Sequence, residues 1–241
     1  MAKESLATKY RPTDFSFFTE QKAIKDILEN QIKTKTFQHG YLFTGPSGTG
    51  KTTSARIFAS MINEGKGSPI EVDAASNSGV DNIRQIIEDA KRKPLDAEYK
   101  IFIVDECHSL SDSSWQALLK TLEEPPKFTL FIFCTTNPEE IPATILSRVQ
   151  RYNFQKISNE GIVDRLNMIL EKESEEIDNL SCKLNWEQDA LEFIAKVSSG
   201  GMRDAITLLD KCLSLSHDVT LENVLKTIGS EDYSTFILLL T

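Results

Sequence analysis

The sequence has no long hydrophobic run and few cysteines. No apolar stretch approaches the ~20 residues needed to cross a bilayer, and the first residues lack the apolar segment of a secretory signal. We therefore expect no membrane span. The four cysteines lie far apart and form no Cys-x-x-Cys pair, which argues against a clustered zinc site and against a disulfide framework. A reducing, cytoplasmic environment is the expectation. The cysteines are Cys107, Cys134, Cys182 and Cys212.

Basic residues are also in deficit. The chain has 27 Lys and Arg against 36 Asp and Glu, a net charge of −9. This balance does not favour a protein that binds nucleic acid through bulk charge alone, although a local basic surface inside a ring or cleft is compatible with it. The 241 residues, of which 40% are hydrophobic, suffice for one or two domains with a buried core.

Strand and helix patterns alternate in the first part of the chain. Short uninterrupted apolar runs are typical of buried strands, and the segments between them have apolar residues at helical spacing. This alternation predicts a mostly parallel sheet covered by helices on both faces. The predicted strands are Tyr41–Phe43, Ile70–Asp73, Ile101–Val104, Leu130–Phe133 and a short one near Arg151–Phe154.

The pattern changes at about Gln155, after which the strand signals cease. Helices are predicted near Asn159–Glu173, Glu187–Val197, Met202–Leu215 and Leu221–Ile228. The sequence thus predicts an α/β domain over residues 1–155 and a small all-α domain over residues 156–229.

The strongest local signal is a phosphate-loop motif. Its glycines let backbone N–H groups face a polyphosphate, and the following helix adds partial positive charge. Lys51 is expected to reach the β- and γ-phosphates, and the Thr52 hydroxyl to hold Mg²⁺. The alternative, a glycine-rich turn without a ligand, is weaker because a strand precedes the motif and a helix follows it. The nucleotide-binding residues predicted here are Gly45, Pro46, Ser47, Gly48, Thr49, Gly50, Lys51, Thr52 and Thr53.

Two adjacent acids directly follow the predicted strand Ile101–Val104. Asp105 is well placed to bind Mg²⁺, usually through water, and Glu106 to polarise an attacking water as general base. The chain lacks an Asn-Lys-x-Asp guanine motif, so the hydrolysis of ATP is predicted. At a third strand end, Thr136 has a hydroxyl suited to the γ-phosphate or the water. A plain turn into Pro138 is an almost equal alternative there.

Together these motifs resemble the AAA+ ATPases, and among them the clamp-loader subunits of replicative DNA polymerases. Two segments, Val72–Ser76 and Leu118–Pro126, look most like the gamma/tau subunit of bacterial DNA polymerase III. The resemblance implies a P-loop AAA+ fold, in which a parallel five-stranded sheet between helices is followed by a small helical lid. The motifs that carry it occur in the family's order, as Lys9–Pro12, the phosphate loop, Asp105–His108, Leu118–Pro126 and Ser147-Arg148.

The resemblance also implies roles for single residues. Ser147-Arg148 matches the segment that presents an arginine finger to ATP on a neighbouring subunit, which makes Arg148 a candidate catalytic residue. Arg203 matches the second sensor in the lid, and Thr136 the first sensor. The residues that match the adenine-pocket segment are Tyr10, Arg11 and Pro12.

Contacts to DNA are implied by the same resemblance, in stretches that line the ring's interior in the family. These stretches are poor in Lys and Arg here, but hydroxyl groups and helix N-termini also bind phosphate. Ordinary helix capping explains their serines equally well. The residues predicted to contact DNA are Ser76, Asn77, Arg84 and Ser111.

The chain departs from the gamma/tau pattern at three places. The interval of residues 63–69 is too short for that subunit's four-cysteine zinc module, so no zinc is expected beside ATP and Mg²⁺. Val149 replaces the cysteine of the Ser-Arg-Cys segment. Residues 230–241 match only the possible start of a truncated collar domain, where family members continue.

The function predicted on this basis is that of an ATP-hydrolysing motor subunit of a sliding-clamp loader. The expected partners are other loader subunits in a homo- or hetero-oligomeric ring, the sliding clamp and primer-template DNA. The expected location is the cytoplasm of a bacterium or of a virus-infected cell. Two alternatives stay open: another AAA+ motor on DNA, such as a helicase loader or Holliday-junction motor, or a non-hydrolysing scaffold subunit of the loader.

Overall fold

The computed structural model describes residues 4–17, 20–177 and 184–229. It divides into two compact units, an α/β unit of Pro12–Gln155 and a helical unit. The helical unit combines the described residues before Pro12 with those from Lys156 onwards. The chain therefore passes between the units twice. This differs from the sequence-based division, which placed the first eleven residues in the α/β domain. The difference arises because Leu6 is fully buried in the core of the helical unit.

The α/β unit is built on a parallel five-stranded sheet with the order β2-β3-β4-β1-β5. The predicted parallel five-stranded sheet is therefore confirmed. The strands are β1 (Gly40–Thr44), β2 (Ile70–Asp73), β3 (Lys100–Asp105), β4 (Thr129–Thr135) and β5 (Gln150–Asn153).

Helices cover this sheet on both faces. Successive strand residues point to opposite sides, and because the central strands β1, β3 and β4 are largely apolar, both faces have side chains to bury. Tyr41 and Phe43 lie in one buried cluster with Phe58, whereas Leu42 lies in the other with Trp115. Uninterrupted apolar strands are thereby buried on both faces, as expected for a parallel sheet. The helices of this unit are α2 (Lys22–Thr34), α3 (Lys51–Ile62), α4 (Val80–Ala90), α5 (Asp112–Glu123) and α6 (Ala143–Leu146).

The helical unit has a core of its own, to which each of its helices contributes apolar side chains. It also contains two short strands that pair in parallel, β6 (Asn185–Trp186) and β7 (Asp218–Val219). Only helices were predicted here, since a two-residue strand is too short to give a periodic signal. The helices are α1 (Leu6–Lys9), α7 (Asn159–Ile177), α8 (Gln188–Val197), α9 (Met202–Leu215) and α10 (Leu221–Ile228).

Three cysteines lie in the described part of the chain, and all three are buried free thiols: Cys107, Cys134 and Cys212. Burial raises the pKa of each thiol, which keeps it protonated and unreactive. Cys182 and the predicted collar segment, residues 230–241, lie outside the described residues. Among the helices that are described, none has the length and apolar character of a membrane span.

Candidate active site

Part of the predicted site, namely the phosphate loop, Asp105, Glu106 and Thr136, lies where three strands end. Thr44 of β1 pairs with Thr135 of β4, and Val104 of β3 pairs with Phe133 of β4. The carboxyl ends of β1, β3 and β4 therefore lie at the same edge of the sheet. Ligands of open α/β sheets bind at this edge. The phosphate loop follows β1 here, and the two acids lie at the end of β3.

Glycine is required at the first position of the phosphate loop. Gly45 has a φ of +137°, and a Cβ atom there would lie 2.3 Å from the carbonyl oxygen of Phe154. Gly48 and Gly50 also have positive φ angles, of 72° and 96°. Gly50 is the residue before α3, which begins at Lys51. The loop thus combines close backbone packing with a helix N-terminus, the arrangement that binds a polyphosphate.

The amine of Lys51 lies folded against this loop. Its Nζ donates to the carbonyl oxygens of Gly45, at 2.7 Å, and Pro46, at 2.8 Å. Lys51 is only 6% exposed. Burial lowers the pKa of this amine, while Cys134, Glu106 and Asp105 oppose the shift. A largely buried amine beside a loop of backbone N–H groups is suited to an anionic ligand such as a phosphate.

Thr52 and Asp105 form a pair of oxygen ligands. The Thr52 hydroxyl donates to Oδ2 of Asp105 at 2.8 Å, and Oδ1 accepts from the backbone N–H of Glu106 at 3.1 Å. Hydroxyl and carboxylate oxygens fit Mg²⁺, which is bound by few protein groups together with waters and substrate phosphates. The described residues contain no group of three or more His, Cys, Asp or Glu side chains that could hold a metal ion. A magnesium site of one hydroxyl and one carboxylate does not need such a group.

Glu106 lies next to Thr136, as expected if both act on one water. The Thr136 hydroxyl donates to Oε2 of Glu106 at 3.3 Å. Glu106 has a φ of 46°, in the left-handed region that residues other than glycine rarely adopt. Backbone strain of this kind is concentrated at functional sites.

One residue beside Glu106, His108, was not predicted from the sequence to belong to the site. Nδ1 of His108 lies 3.4 Å from Oε2 of Glu106 and 3.0 Å from Oγ1 of Thr135. The only signal in the sequence is the proximity of His108 to Glu106. Its contact with Thr135, 27 positions along the chain, depends on β3 and β4 being neighbours.

Arg148 lies on the surface of the α/β unit, just after α6. Its Nη2 donates to Oε1 of Glu123 at 2.5 Å, and its Nη1 donates to the Thr144 carbonyl oxygen and to Oγ of Ser147. The structure thus places Arg148 in an exposed ion pair within its own chain. Such pairs are weak, so the guanidinium remains available to another partner.

Tyr10 and Arg203 both lie in the helical unit. The Tyr10 hydroxyl donates to Oε1 of the buried Glu173 at 2.7 Å. The guanidinium of Arg165 donates to the backbone carbonyl oxygen of Tyr10 at 2.6 Å. Burial, followed by the contact with Glu173, raises the pKa of Tyr10 to about 12. Arg203 is exposed in the first turn of α9. The next residues of the predicted adenine segment, Arg11 and Pro12, lie on either side of the unit boundary.

The four residues predicted to contact DNA have local partners. The Ser76 hydroxyl and the Asn77 amide both bond to Asp73. Arg84 pairs with Asp81 at 3.1 Å. Ser111 caps α5 by accepting from the backbone N–H of Ser114 at 3.2 Å.

Two family models match different parts of the chain. Residues 69–158 match the family described as DNA polymerase III, delta subunit, and residues 161–218 match the DNA polymerase III clamp loader subunit, ATPase lid domain. The DNA polymerase III gamma subunit of Buchnera aphidicola (subsp. Acyrthosiphon pisum) is 34% identical over 258 residues, with 97% of this chain and 69% of that protein covered. The chain belongs to the DNA polymerase III gamma/tau family.

The tau subunit of Bacillus subtilis is a second relative of this gamma/tau chain. It is 42% identical over 240 residues, which cover 91% of the chain but only 41% of the subunit. The chain thus spans about two fifths of the length of this relative. The Thermotoga maritima RuvB Holliday junction branch migration motor has a TM-score of 0.69 at 22% identity, with 91% of this chain and 72% of that one covered. This likeness shows the AAA+ fold alone.

Proposed function

We propose that this gamma/tau chain is an ATP-hydrolysing motor subunit of a DNA-polymerase sliding-clamp loader. The observation that carries the proposal is the meeting of three groups at one sheet edge. These are the phosphate loop with its buried Lys51, the Thr52–Asp105 oxygen pair, and Glu106 in contact with Thr136.

The chain's own groups divide the chemistry between them. The loop N–H groups and Lys51 bind the phosphates of ATP, and Lys51 compensates their charge. Thr52 and Asp105 are the residues that would hold Mg²⁺, which neutralises phosphate charge when it is bound. Glu106 accepts a proton from the attacking water on a carboxylate oxygen. Thr136 holds that carboxylate, or the water itself, in position.

The remaining site residues enter the proposal through the family resemblance. Arg148 is proposed as an arginine finger for a neighbouring subunit, and Arg203 as a second sensor. We also propose a nucleotide-binding role for Tyr10, Arg11 and Pro12. The residues proposed to meet DNA phosphates are Ser76, Asn77, Arg84 and Ser111.

The proposed partners are other clamp-loader subunits in a ring, a sliding clamp and primer-template DNA. The lid family that residues 161–218 match is described as a clamp loader subunit. The named relatives come from bacteria, so the proposed setting is the bacterial cytoplasm. The proposal needs no metal other than Mg²⁺, so it does not need zinc. It also needs no partner beyond those named.

A non-hydrolysing scaffold role is the less favoured alternative. Such a subunit needs neither a buried phosphate-loop lysine nor a base. Here Lys51, Thr52, Asp105 and Glu106 are all present and lie at one edge of the sheet.

The test separates binding from hydrolysis. Lys51→Ala is expected to abolish ATP binding, because the phosphates lose their only buried amine within the described loop. Glu106→Gln keeps the shape of the side chain but removes the base, so binding should persist while turnover falls roughly 10²–10⁴-fold. Binding is measured by calorimetry and turnover by phosphate release.

Matched controls are Lys66→Ala and Glu139→Gln, which alter an exposed lysine and an exposed glutamate. Both should behave like the parent chain. Undiminished ATP binding by Lys51→Ala would overturn the proposed function, and parental turnover by Glu106→Gln would remove Glu106 as the base.

A further inference from the structure

His108 is held on the end of strand β4. It lies in the short 3-10 turn Cys107–Ser109, which begins directly after the left-handed Glu106. This turn brings the imidazole back towards β4, where Nδ1 lies 3.0 Å from Oγ1 of Thr135. The His108 side chain is only 19% exposed.

Thr135 is a firm anchor for this ring. Its side chain is completely buried, and its Oγ1 already accepts from the backbone N–H of Asn137 at 3.0 Å. A hydroxyl oxygen has two lone pairs, so it can accept a second hydrogen bond from Nδ1–H of His108. The ring is therefore fixed by a group that is itself fixed to the backbone.

The same Nδ1 atom faces the carboxylate of Glu106. It lies 3.4 Å from Oε2, the oxygen that also accepts from the Thr136 hydroxyl at 3.3 Å. Within the described residues, the other oxygen, Oε1, makes no hydrogen bond to a protein group. The Thr136 hydroxyl thus bonds to one oxygen of the carboxylate, the His108 ring lies beside the same oxygen, and the second oxygen is left for chemistry.

We propose that His108 is a positioning residue for Glu106. In this arrangement Nδ1–H is shared between Oγ1 of Thr135 and Oε2 of Glu106, and the imidazole links the ends of β3 and β4. Glu106 is 39% exposed, and a long side chain at such a position samples several rotamers. The contact with His108 limits this freedom and keeps Oε1 directed for proton transfer. The inference rests on the proposed function, because it concerns Glu106 as the base.

The first experiment compares His108→Asn with His108→Leu. The amide of Asn occupies nearly the place of Nδ1 and retains a donor, whereas Leu has none. His108→Leu should lower kcat roughly tenfold, in line with the effect of a displaced catalytic group, with unchanged KM and unchanged ADP binding. His108→Asn should retain most of kcat. Parental kcat in His108→Leu, or equal losses in both variants, would overturn the inference.

A double variant tests whether His108 acts through Glu106. When Glu106→Gln is already present, adding His108→Leu should cause little further loss of kcat, since coupled residues are not additive. A further tenfold loss in the double variant would show that His108 acts independently, which contradicts the proposal.

The second experiment needs no nucleotide. The sequence has only three histidines, His39, His108 and His217, so their ring nitrogens can be resolved by NMR and assigned with His108→Asn. The parent chain should show the proton of His108 on Nδ1, and Glu106→Gln should shift that resonance while His39 and His217 stay in place. Glu139→Gln is the control and should shift none of the three.

The outcomes separate this inference from the proposed function. An unshifted His108 resonance in Glu106→Gln would overturn the positioning role, even if the parent chain hydrolyses ATP. Absence of ATP binding by the parent chain would overturn the proposed function. The NMR measurement on the His108 imidazole does not test that function.

Discussion

At the scale of single residues, Gly45 shows why the phosphate loop needs its sequence. Two independent restraints act at this position, a φ of +137° and the carbonyl oxygen of Phe154, 2.3 Å from where a Cβ would lie. Gly65 has only the first restraint: its φ is +76°, and nothing lies within 4 Å of a Cβ. The two positions therefore separate backbone preference from steric clash.

We predict that Gly45→Ala is much more harmful than Gly65→Ala. Gly65→Ala should lower the free energy of unfolding by about 1–2 kcal/mol, the cost of a left-handed residue with a Cβ. Gly45→Ala should cost roughly 2–4 kcal/mol, because the clash with backbone is added to the strain. Urea denaturation measures both, and ATP binding should be weakened only by Gly45→Ala. Equal losses of stability would show that the Phe154 contact is unimportant.

Residues within one motif were predictable, and contacts between distant segments were less so. The phosphate-loop pattern predicted Lys51 and Thr52 because the motif itself specifies the local backbone. Thr136 was predicted beside the site as the end of a parallel strand. The role of His108 could not be predicted, since its partner Thr135 is brought near only by strand order.

At the scale of elements, helix α5 begins with a capped first turn. The hydroxyl oxygen of Ser111 accepts from the N–H of Ser114, which also donates to the carbonyl oxygen of Ser111 at 2.9 Å. The same serine is among the residues proposed to meet DNA phosphates. Capping and DNA contact make different demands on this position, so substitutions can separate them.

We predict that Ser111→Ala lowers the free energy of unfolding by about 1 kcal/mol and Ser111→Gly by only a few tenths, because glycine is a better N-cap residue than alanine. A DNA contact through the hydroxyl would be lost equally in both variants. DNA-stimulated ATP hydrolysis should then weaken to the same extent in both, while thermal unfolding ranks them differently. If stability falls equally in both variants, the capping bond does not contribute.

Strands of the α/β unit and the longer helices were predicted well, whereas the shortest elements of the helical unit were not. Apolar runs such as Ile101–Val104 were confirmed as buried strands because nothing but a two-sided core suits them. The pair β6–β7 was missed, since two residues carry no period. The place of α1 in the helical unit was also missed, because the sequence of a four-residue helix does not indicate which core its apolar side chain joins.

At the scale of the whole molecule, Arg148 lies on the surface, and its proposed role is to contact ATP on a neighbouring subunit. Within its own chain this residue pairs with Glu123, which is 48% exposed at the side chain. An ion pair this exposed adds little stability. A guanidinium in such a pair can be transferred at little cost to phosphates on a neighbouring subunit.

We predict that Arg148→Ala leaves ATP binding unchanged and lowers hydrolysis at least tenfold, but only in the assembled loader, since an arginine supplied in trans stabilises charge in the transition state. Glu123→Gln is the matched control, because it breaks the same ion pair and keeps the arginine. Its hydrolysis should equal that of the parent assembly. The same loss in both variants would assign the effect to the ion pair instead.

The two crossings between the units have a consequence for synthesis on the ribosome. Leu6 is synthesised well before Asp210, yet its N–H bonds to that residue and its side chain packs with residues of α7 to α10. Residues 12–155 form one continuous unit and can fold once they leave the exit tunnel, as domains generally do. Helix α1 can complete its packing only after Asp210, 204 positions further along the chain, has been made.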